Sequence, residues 1–510
     1  MTAGGGCAQG PRLFEEIRVI DRELGGPDLS SGTASRRAFL VGAAAAAFTG
    51  SAIPASAQSA VSGSASDSAS GVDWSGLTKT LHGSLTLPGS SGFGSAASLF
   101  DPRFDGSSPA AVVAAADAAD VVSALQFAAA NHLPVAARGG GHSYVGASAH
   151  SGALVVDTRA LNSVTLSGDL ATMGAGAGLY PALSVLDAAG RSLPVGTCPT
   201  VGLTGLTVGG GIGVDSRQYG ATCDRLVSAQ LVLPGGQLVE VSPQSDPDRF
   251  WALQGAGGGL GIVTALTFQT CPSASKDIVR LSIPVGDPVK VLTGWAAWSA
   301  TAERTSWANL TVRADSGGIA IDGLIVCSAG AGAATVVALG AATATTPTVL
   351  DSTTYTSLDA VLSLGGGSPD EPRTVRIAGS DVLPALDTAT ATSIVTVMQA
   401  CARAGLPGRV LLDPLTGALS DPAPDATAFP WRRHAAMLQW IVESPQDLGA
   451  ARAWIGTAHT AVASTSAGGY VNYIEPDTSV DRYYAANATR VRLQHNRADP
   501  TNSLYWGPSV

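Results

Sequence analysis

The sequence predicts an α+β fold in which a glycine-loop domain is followed by a second domain built on an antiparallel sheet backed by helices. Three observations predict it. Up to about residue 270, short apolar strands alternate with helical patterns and run into glycine-rich loops. From about Pro272, regular strands are separated by alanine-rich helical stretches. About 450 residues follow an amino-terminal leader, enough for two full cores.

The leader comes first. Ser35-Arg36-Arg37-Ala38-Phe39-Leu40 precedes VGAAAAAFTG, an apolar run too short to span a bilayer, and Ala55-Ser56-Ala57 supplies a small-residue cleavage site. This order reads as a twin-arginine export signal over residues 1–57. The export machinery is therefore an expected partner, and the mature protein is expected to be secreted or periplasmic. That route carries folded proteins, which suits a chain that loads a cofactor before export. Residues 58–76 open with QSAVSGSASDSASG, poor in large apolar side chains, and read as a linker.

Ala110 to Ala130 carries a helical pattern (Val112, Val113, Ala116, Val121, Val122, Leu125) that ends at Asn131-His132-Leu133-Pro134. Val135-Ala136 then opens a strand into Arg138-Gly139-Gly140-Gly141-His142, the strand-then-loop order that a phosphate cradle needs. Leu154 to Asp157 and Gln230 to Leu233 read as strands, with Pro234-Gly235-Gly236 turning the chain into Gln237 to Val241. Phe250 to Leu253 leads to a second glycine loop, Gly255 to Gly261, and Ile262 to Phe268 closes the region as a strand. Beyond it, Asp277 to Ile283, Asn309 to Val312 and Ile319 to Cys327 are the clearest strands.

Charged residues make up 13% of the chain, against about 25% in typical globular proteins, and the formal net charge is −10. A nucleic-acid partner needs a basic footprint and is excluded by this balance. No later apolar stretch is long enough for a membrane span, so stable membrane insertion is not expected. No metal site is read. Cys223, Cys271, Cys327 and Cys401 allow three pairings or four free thiols.

Two motifs carry the chemistry. Arg138-Gly139-Gly140-Gly141-His142-Ser143-Tyr144 and Gly196-Thr197-Cys198-Pro199-Thr200-Val201-Gly202 place an imidazole and a thiol, both nucleophiles, beside loops whose glycines let main-chain N–H groups approach a pyrophosphate. The pairing points to a flavin held by two covalent bonds. These motifs, with the text from Gly196 to Thr270, Tyr470-Val471-Asn472-Tyr473 and Asp499-Pro500-Thr501-Asn502, resemble the berberine bridge enzyme-like branch of FAD-linked oxidases. The resemblance covers nearly the whole chain after about residue 80.

It implies a two-part PCMH-type FAD-binding domain of the vanillyl-alcohol oxidase type over residues 77–271, a substrate domain over 272–476 and a segment, 477–510, returning to the FAD-binding domain. It implies FAD bound bicovalently, with His142 on the flavin 8α carbon and Cys198 on C6. Arg138, Gly139, Gly140, Gly141, Ser143, Thr200, Val201, Gly202, Gly205, Gly209, Gly210 and Ile262 would complete the cradle, and Asn487 resembles an asparagine at the flavin's pyrimidine edge.

If Tyr470 to Ile474 is a strand, Val471 and Tyr473 share one side while Tyr470, Asn472 and Ile474 share the other, and only one side can see the ring. The resemblance makes Tyr473 the base for a substrate hydroxyl. An unperturbed phenol has a pKa of about 10, so that role needs a stabilised phenolate or proton loss coupled to hydride departure. Tyr144 matches a pocket tyrosine. Gln439 matches a glutamine two positions beyond Met437, where plant members often carry lysine. The resemblance sets Val201 against the flavin edge where oxygen reacts, and its small size would leave room for O₂. The expected function is oxidation of an alcohol group on a glycoside, oligosaccharide or polycyclic natural product, with hydride to flavin N5 and electrons to O₂ giving H₂O₂. Amine or alkaloid oxidation, and a non-catalytic secreted flavin-binding protein, are the alternatives.

Overall fold

Residues 71–315 and 317–507, the part of the chain that the computed structural model describes, contain two five-stranded sheets, one seven-stranded sheet and a two-stranded ribbon. The export signal and the linker up to residue 70 lie outside the described residues.

The first sheet runs in the order Ser84–Thr86, Ala111–Ala114, Leu154–Asp157, Val135–Arg138, Leu504–Tyr505, with every pairing parallel except the first. Ala111, Val112 and Val113 are buried on both faces, which is where the helical reading from Ala110 fails. A parallel-sheet strand covered on both sides is continuously apolar and cannot be told from a buried helix by periodicity. The helix itself is Ala118–Ala130, started by Asp117, whose carboxylate accepts the main-chain N–H of Asp120 at 3.0 Å.

The second sheet, Val164–Ser167, Leu170–Gly174, Ile262–Gln269, Leu226–Val232, Leu238–Val241, is antiparallel throughout. Its last hairpin turns at the anticipated Pro234-Gly235-Gly236, where Gly236 donates to the carbonyl of Leu233 at 2.8 Å.

The seven-stranded sheet is also antiparallel, in the order Thr348–Tyr355, Lys276–Ile283, Gly318–Ser328, Trp307–Asp315, Gly408–Pro414, Ala436–Glu443, Arg376–Leu383. Alternate residues divide its faces. Leu310, Val312, Val410, Leu412, Leu438 and Trp440 join a core with Trp295 of helix Pro288–Thr301, Met398 of helix Thr388–Arg403 and Trp454 of helix Leu448–Val462. Truncating an aromatic at such a place costs about 3–5 kcal/mol, so this face fixes the sheet. The opposite face is left for the site.

Tyr470 to Ile474 is not a strand. Tyr473 donates its N–H to the carbonyl of Tyr470 at 2.8 Å, closing a 3₁₀ turn over Val471–Tyr473. The two-sided alternation therefore disappears, and Tyr470, Val471, Asn472, Tyr473 and Ile474 all reach one cavity. Among the described residues no helix is long and apolar enough to cross a membrane, and the five cysteines are unpaired thiols.

Candidate active site

A single cavity of about 930 Å³ lies between the glycine loops and the free face of the seven-stranded sheet. Small-molecule sites span about 300–1,000 Å³, so there is room for a dinucleotide beside a substrate. The structure brings Arg138, Gly139, Gly140, Gly141, His142, Ser143, Tyr144, Cys198, Val201, Gly202, Gly205, Gly209, Ile262, Gln439 and Tyr473 to its wall. Thr200, Gly210 and Asn487 are not on that wall. Thr200 sits behind Cys198 and directs its hydroxyl to Glu371 at 3.4 Å. Gly210 backs onto Phe429, whose ring a Cβ there would meet at 2.8 Å. Asn487 spends its amide on the main-chain carbonyls of Pro424 and Thr427, at 2.9 and 3.1 Å, so it ties down a loop rather than facing the cavity.

Glycine is required where the two motifs meet. A Cβ on Gly140 would lie 2.3 Å from the nitrogen of Gly202, and one on Gly202 equally close to Gly140. This contact seats the His142 loop against the Cys198 loop. Behind them, the buried Arg138 guanidinium holds Asp157 at 2.7 Å. Gly209 plays a similar part on the other side, because a Cβ there would strike the Asn472 amide at 2.0 Å. Asn472 in turn donates to the carbonyl of Leu206 and to Tyr470 Oη, and Tyr470 Oη accepts the N–H of Gly211. The tyrosine turn is thus bolted to the glycine segment.

His142 stacks on Phe100 with ring centroids 4.0 Å apart. Burial, reinforced by the Arg376 charge and partly offset by a hydrogen bond to the Thr200 main chain, pushes its pKa down to about 4. The imidazole is neutral at physiological pH and keeps a lone pair. Burial and the nearby Glu371 push the Cys198 thiol up to about 11, against the pull of Arg376. Close main-chain approach, an unprotonated imidazole and a dinucleotide-sized cavity fit a flavin cofactor.

At the sheet end, the Tyr144 and Tyr473 rings lie parallel, interplanar angle 9° and centroids 5.8 Å apart. Gln439 donates to Tyr144 Oη at 2.9 Å, so it orients Tyr144. Tyr473 meets Tyr470 edge-on. Burial, Asp413 and the neighbouring tyrosines hold the Tyr473 phenol well above its usual range. Met437 is buried against Trp431 and Tyr470 and stays off the wall.

Sequence reasoning missed Asp413, Arg376, Phe100 and Glu443. Arg409, Leu411 and Asp413 alternate along Gly408–Pro414 and face the cavity, as do Gln439, Ile441 and Glu443 along Ala436–Glu443. That period-two placement of charge inside apolar strands was the available signal. Burial raises the Asp413 carboxyl to about 6, and Asn309 donates to it at 3.4 Å.

The comparisons agree with this site. Residues 109–242 match the FAD binding domain family. Over 416 residues, 77% of this chain and 88% of the other, the chain is 30% identical to the uncharacterized FAD-linked oxidoreductase YgaK of Bacillus subtilis (strain 168). The chain belongs to the FAD-linked oxidoreductases. Its fold is that of a solved BBE-like protein of Physcomitrella patens, with a TM-score of 0.76 at 22% identity, covering 85% of this chain and 97% of that one. Within this family, a glucooligosaccharide oxidase of Sarocladium strictum is 38% identical over 166 residues, 32% of this chain and 33% of that protein. A solved glucooligosaccharide oxidase from Acremonium strictum, described as carrying a 6-S-cysteinyl, 8α-N1-histidyl FAD, superposes with a TM-score of 0.76 at 22% identity, covering 84% of this chain and 96% of that one.

Proposed function

We propose that this FAD-linked oxidoreductase oxidises a hydroxyl-bearing carbon of a carbohydrate, with O₂ as the acceptor and H₂O₂ as the second product. The observation that carries the reading is the Tyr473 ring set parallel to Tyr144 on a wall that also holds Asp413. When bound, FAD supplies a hydride acceptor for the substrate carbon. The protein supplies the proton path. Tyr473 accepts the substrate hydroxyl's hydrogen bond, its own proton passes toward ionised Asp413, and Tyr144, oriented by Gln439, holds the substrate in place. Asn309, Thr311 and Gln439 interrupt the apolar Leu411 and Ile441, a mixture suited to a neutral polyol. The glucooligosaccharide oxidase relative supports that substrate class.

The same reading attaches FAD through both His142 and Cys198, admits O₂ beside Val201 and exports the folded holoenzyme by the twin-arginine route. It assigns residues 77–271 to the cofactor, 272–476 to the substrate and 477–510 to the cofactor's side again. A peroxide-coupled screen of sugars, oligosaccharides, polycyclic alcohols and amines tests it. Turnover of sugars with one H₂O₂ per oxidised carbon is expected. Turnover of amines alone, or rapid reduction of the flavin by sugar without reaction with O₂, overturns the substrate or the acceptor respectively.

A further inference from the structure

One chain of contacts through the sheet runs from the Cys198 loop to His142. Thr200, two residues beyond Cys198, donates its hydroxyl to Glu371 at 3.4 Å. Glu371 pairs with Arg376, which also holds Glu443 at 3.1 Å through Nε and donates its main-chain N–H to Asp101 at 3.2 Å. The Arg376 guanidinium lies over the Phe100 ring, 5.2 Å from its centroid, and Phe100 stacks on His142. Arg376 is the cation of this chain of contacts, and it shares the cavity wall with His142 and Cys198.

The geometry points to Arg376 as the positioning residue for cofactor attachment: it steadies the His142 ring through Phe100 and offers a counter-charge to the Cys198 thiolate. The inference rests on the bicovalent reading above. Attachment at Cys198 replaces an S–H and a ring C–H bond by one S–C bond, and the two hydrogens leave on O₂ as H₂O₂. The nucleophile is the thiolate, so the scarce species at Cys198 is the deprotonated one. Burial and Glu371 disfavour it and Arg376 favours it. Two neighbouring residues of opposite sign should therefore move the Cys198 linkage in opposite directions, which a merely structural pair would not do.

Tryptic flavopeptides of holoprotein, collected over a time course after induction, report each linkage separately by mass. In Arg376→Gln the rate of Cys198 linkage should fall roughly tenfold, the change in thiolate population worth one pKa step, with His142 linkage less affected. Arg376→Lys should restore part of it by returning the charge without the fork. Glu371→Gln should raise the rate, and it decides the matter if Arg376→Gln fails to fold. Unchanged or slower Cys198 linkage in Glu371→Gln overturns the inference. Wild-type protein with no doubly linked flavopeptide overturns the bicovalent reading instead, so the two failures are distinguishable.

Discussion

The two walls of the cavity are built on opposite principles. The loop wall works with main chain: Gly140 and Gly202 approach so closely that neither tolerates a Cβ, and its function is written as the absence of side chains. The sheet wall works with side chains, Arg409, Leu411 and Asp413 on one strand and Gln439, Ile441 and Glu443 on the next, each held from behind by a helix-packed core. Their titration differs too. The loop's His142 is pushed down to about 4 and carries no charge at neutral pH, whereas the sheet's Asp413 is pushed only to about 6 and can change state near it. The difference teaches that the loop wall is fixed by a backbone contact that a Cβ at Gly140 or Gly202 would strain, while the titratable side chains of the cavity are carried by the sheet wall.

The largest effect that tests this contrast belongs to the sheet end. Tyr473→Phe removes one hydroxyl and should slow substrate reduction of the flavin by about 10²–10⁴, the usual worth of an acid–base group, with flavin content and linkage unchanged. Anaerobic stopped-flow measures it. Reduction at the wild-type rate would remove Tyr473 from the proton path. Asp413→Asn should follow with a loss of about 10–10²-fold, placed below Tyr473 because Asp413 acts through it. The wild-type reduction rate should fall as pH drops through about 6, where Asp413 takes up a proton, and the Asn variant should lack that inflection.

At the loop wall the expected change is in stability and cofactor retention rather than rate. Gly140→Ala forces a Cβ to within 2.3 Å of the Gly202 nitrogen, so one loop must move. Overpacking of this kind costs typically about 1–3 kcal/mol, which thermal unfolding would show as a lower Tm together with under-linked flavin. An alanine variant with wild-type Tm and full linkage would mean the two loops are not pinned at this contact.

The same asymmetry decides what was legible in the sequence. The loop wall announces itself, because Gly139, Gly140 and Gly141 before His142, and Gly196 and Gly202 on either side of Cys198, are local in the chain. Tyr144, Gln439 and Tyr473 were placed by their motifs. Asp413 and Arg376 were not, because no local motif marks either, and only the register of Gly408–Pro414, Ala436–Glu443 and Arg376–Leu383 brings them to a common face. Two local readings failed for physical reasons. Ala111–Ala114 is covered on both faces and imitates a helix, and Tyr470 to Ile474 curls into a turn because its polar groups bond to Gly211 and Leu206, contacts more than 250 residues away. Asn487 was given to the flavin by its motif, yet its amide closes a loop.

The smallest expected effect lies behind the sheet wall, where a half-buried histidine reverses the behaviour of His142. His459 sits between Asp381 and Glu475, 2.6 and 2.7 Å away, with Arg482, Ser466 and Trp440 also bonded to Asp381. Burial opposes its charge, but the two carboxylates prevail and raise its pKa to about 9. A raised histidine contributes stability fully below its unfolded pKa of about 6.5 and loses that contribution as pH climbs through about 9. His142, lowered to about 4, has the opposite sign: its share is present above 6.5 and is lost as pH falls toward 4. Because desolvation offsets much of a buried ion pair, His459→Gln should cost on the order of 1 kcal/mol at pH 6 and less at pH 9.5. The readout is the Tm difference between variant and wild type across that range. A difference that stays constant, or grows, with rising pH would show that His459 packs as a neutral ring, and the contrast between the two histidines would then reduce to burial alone.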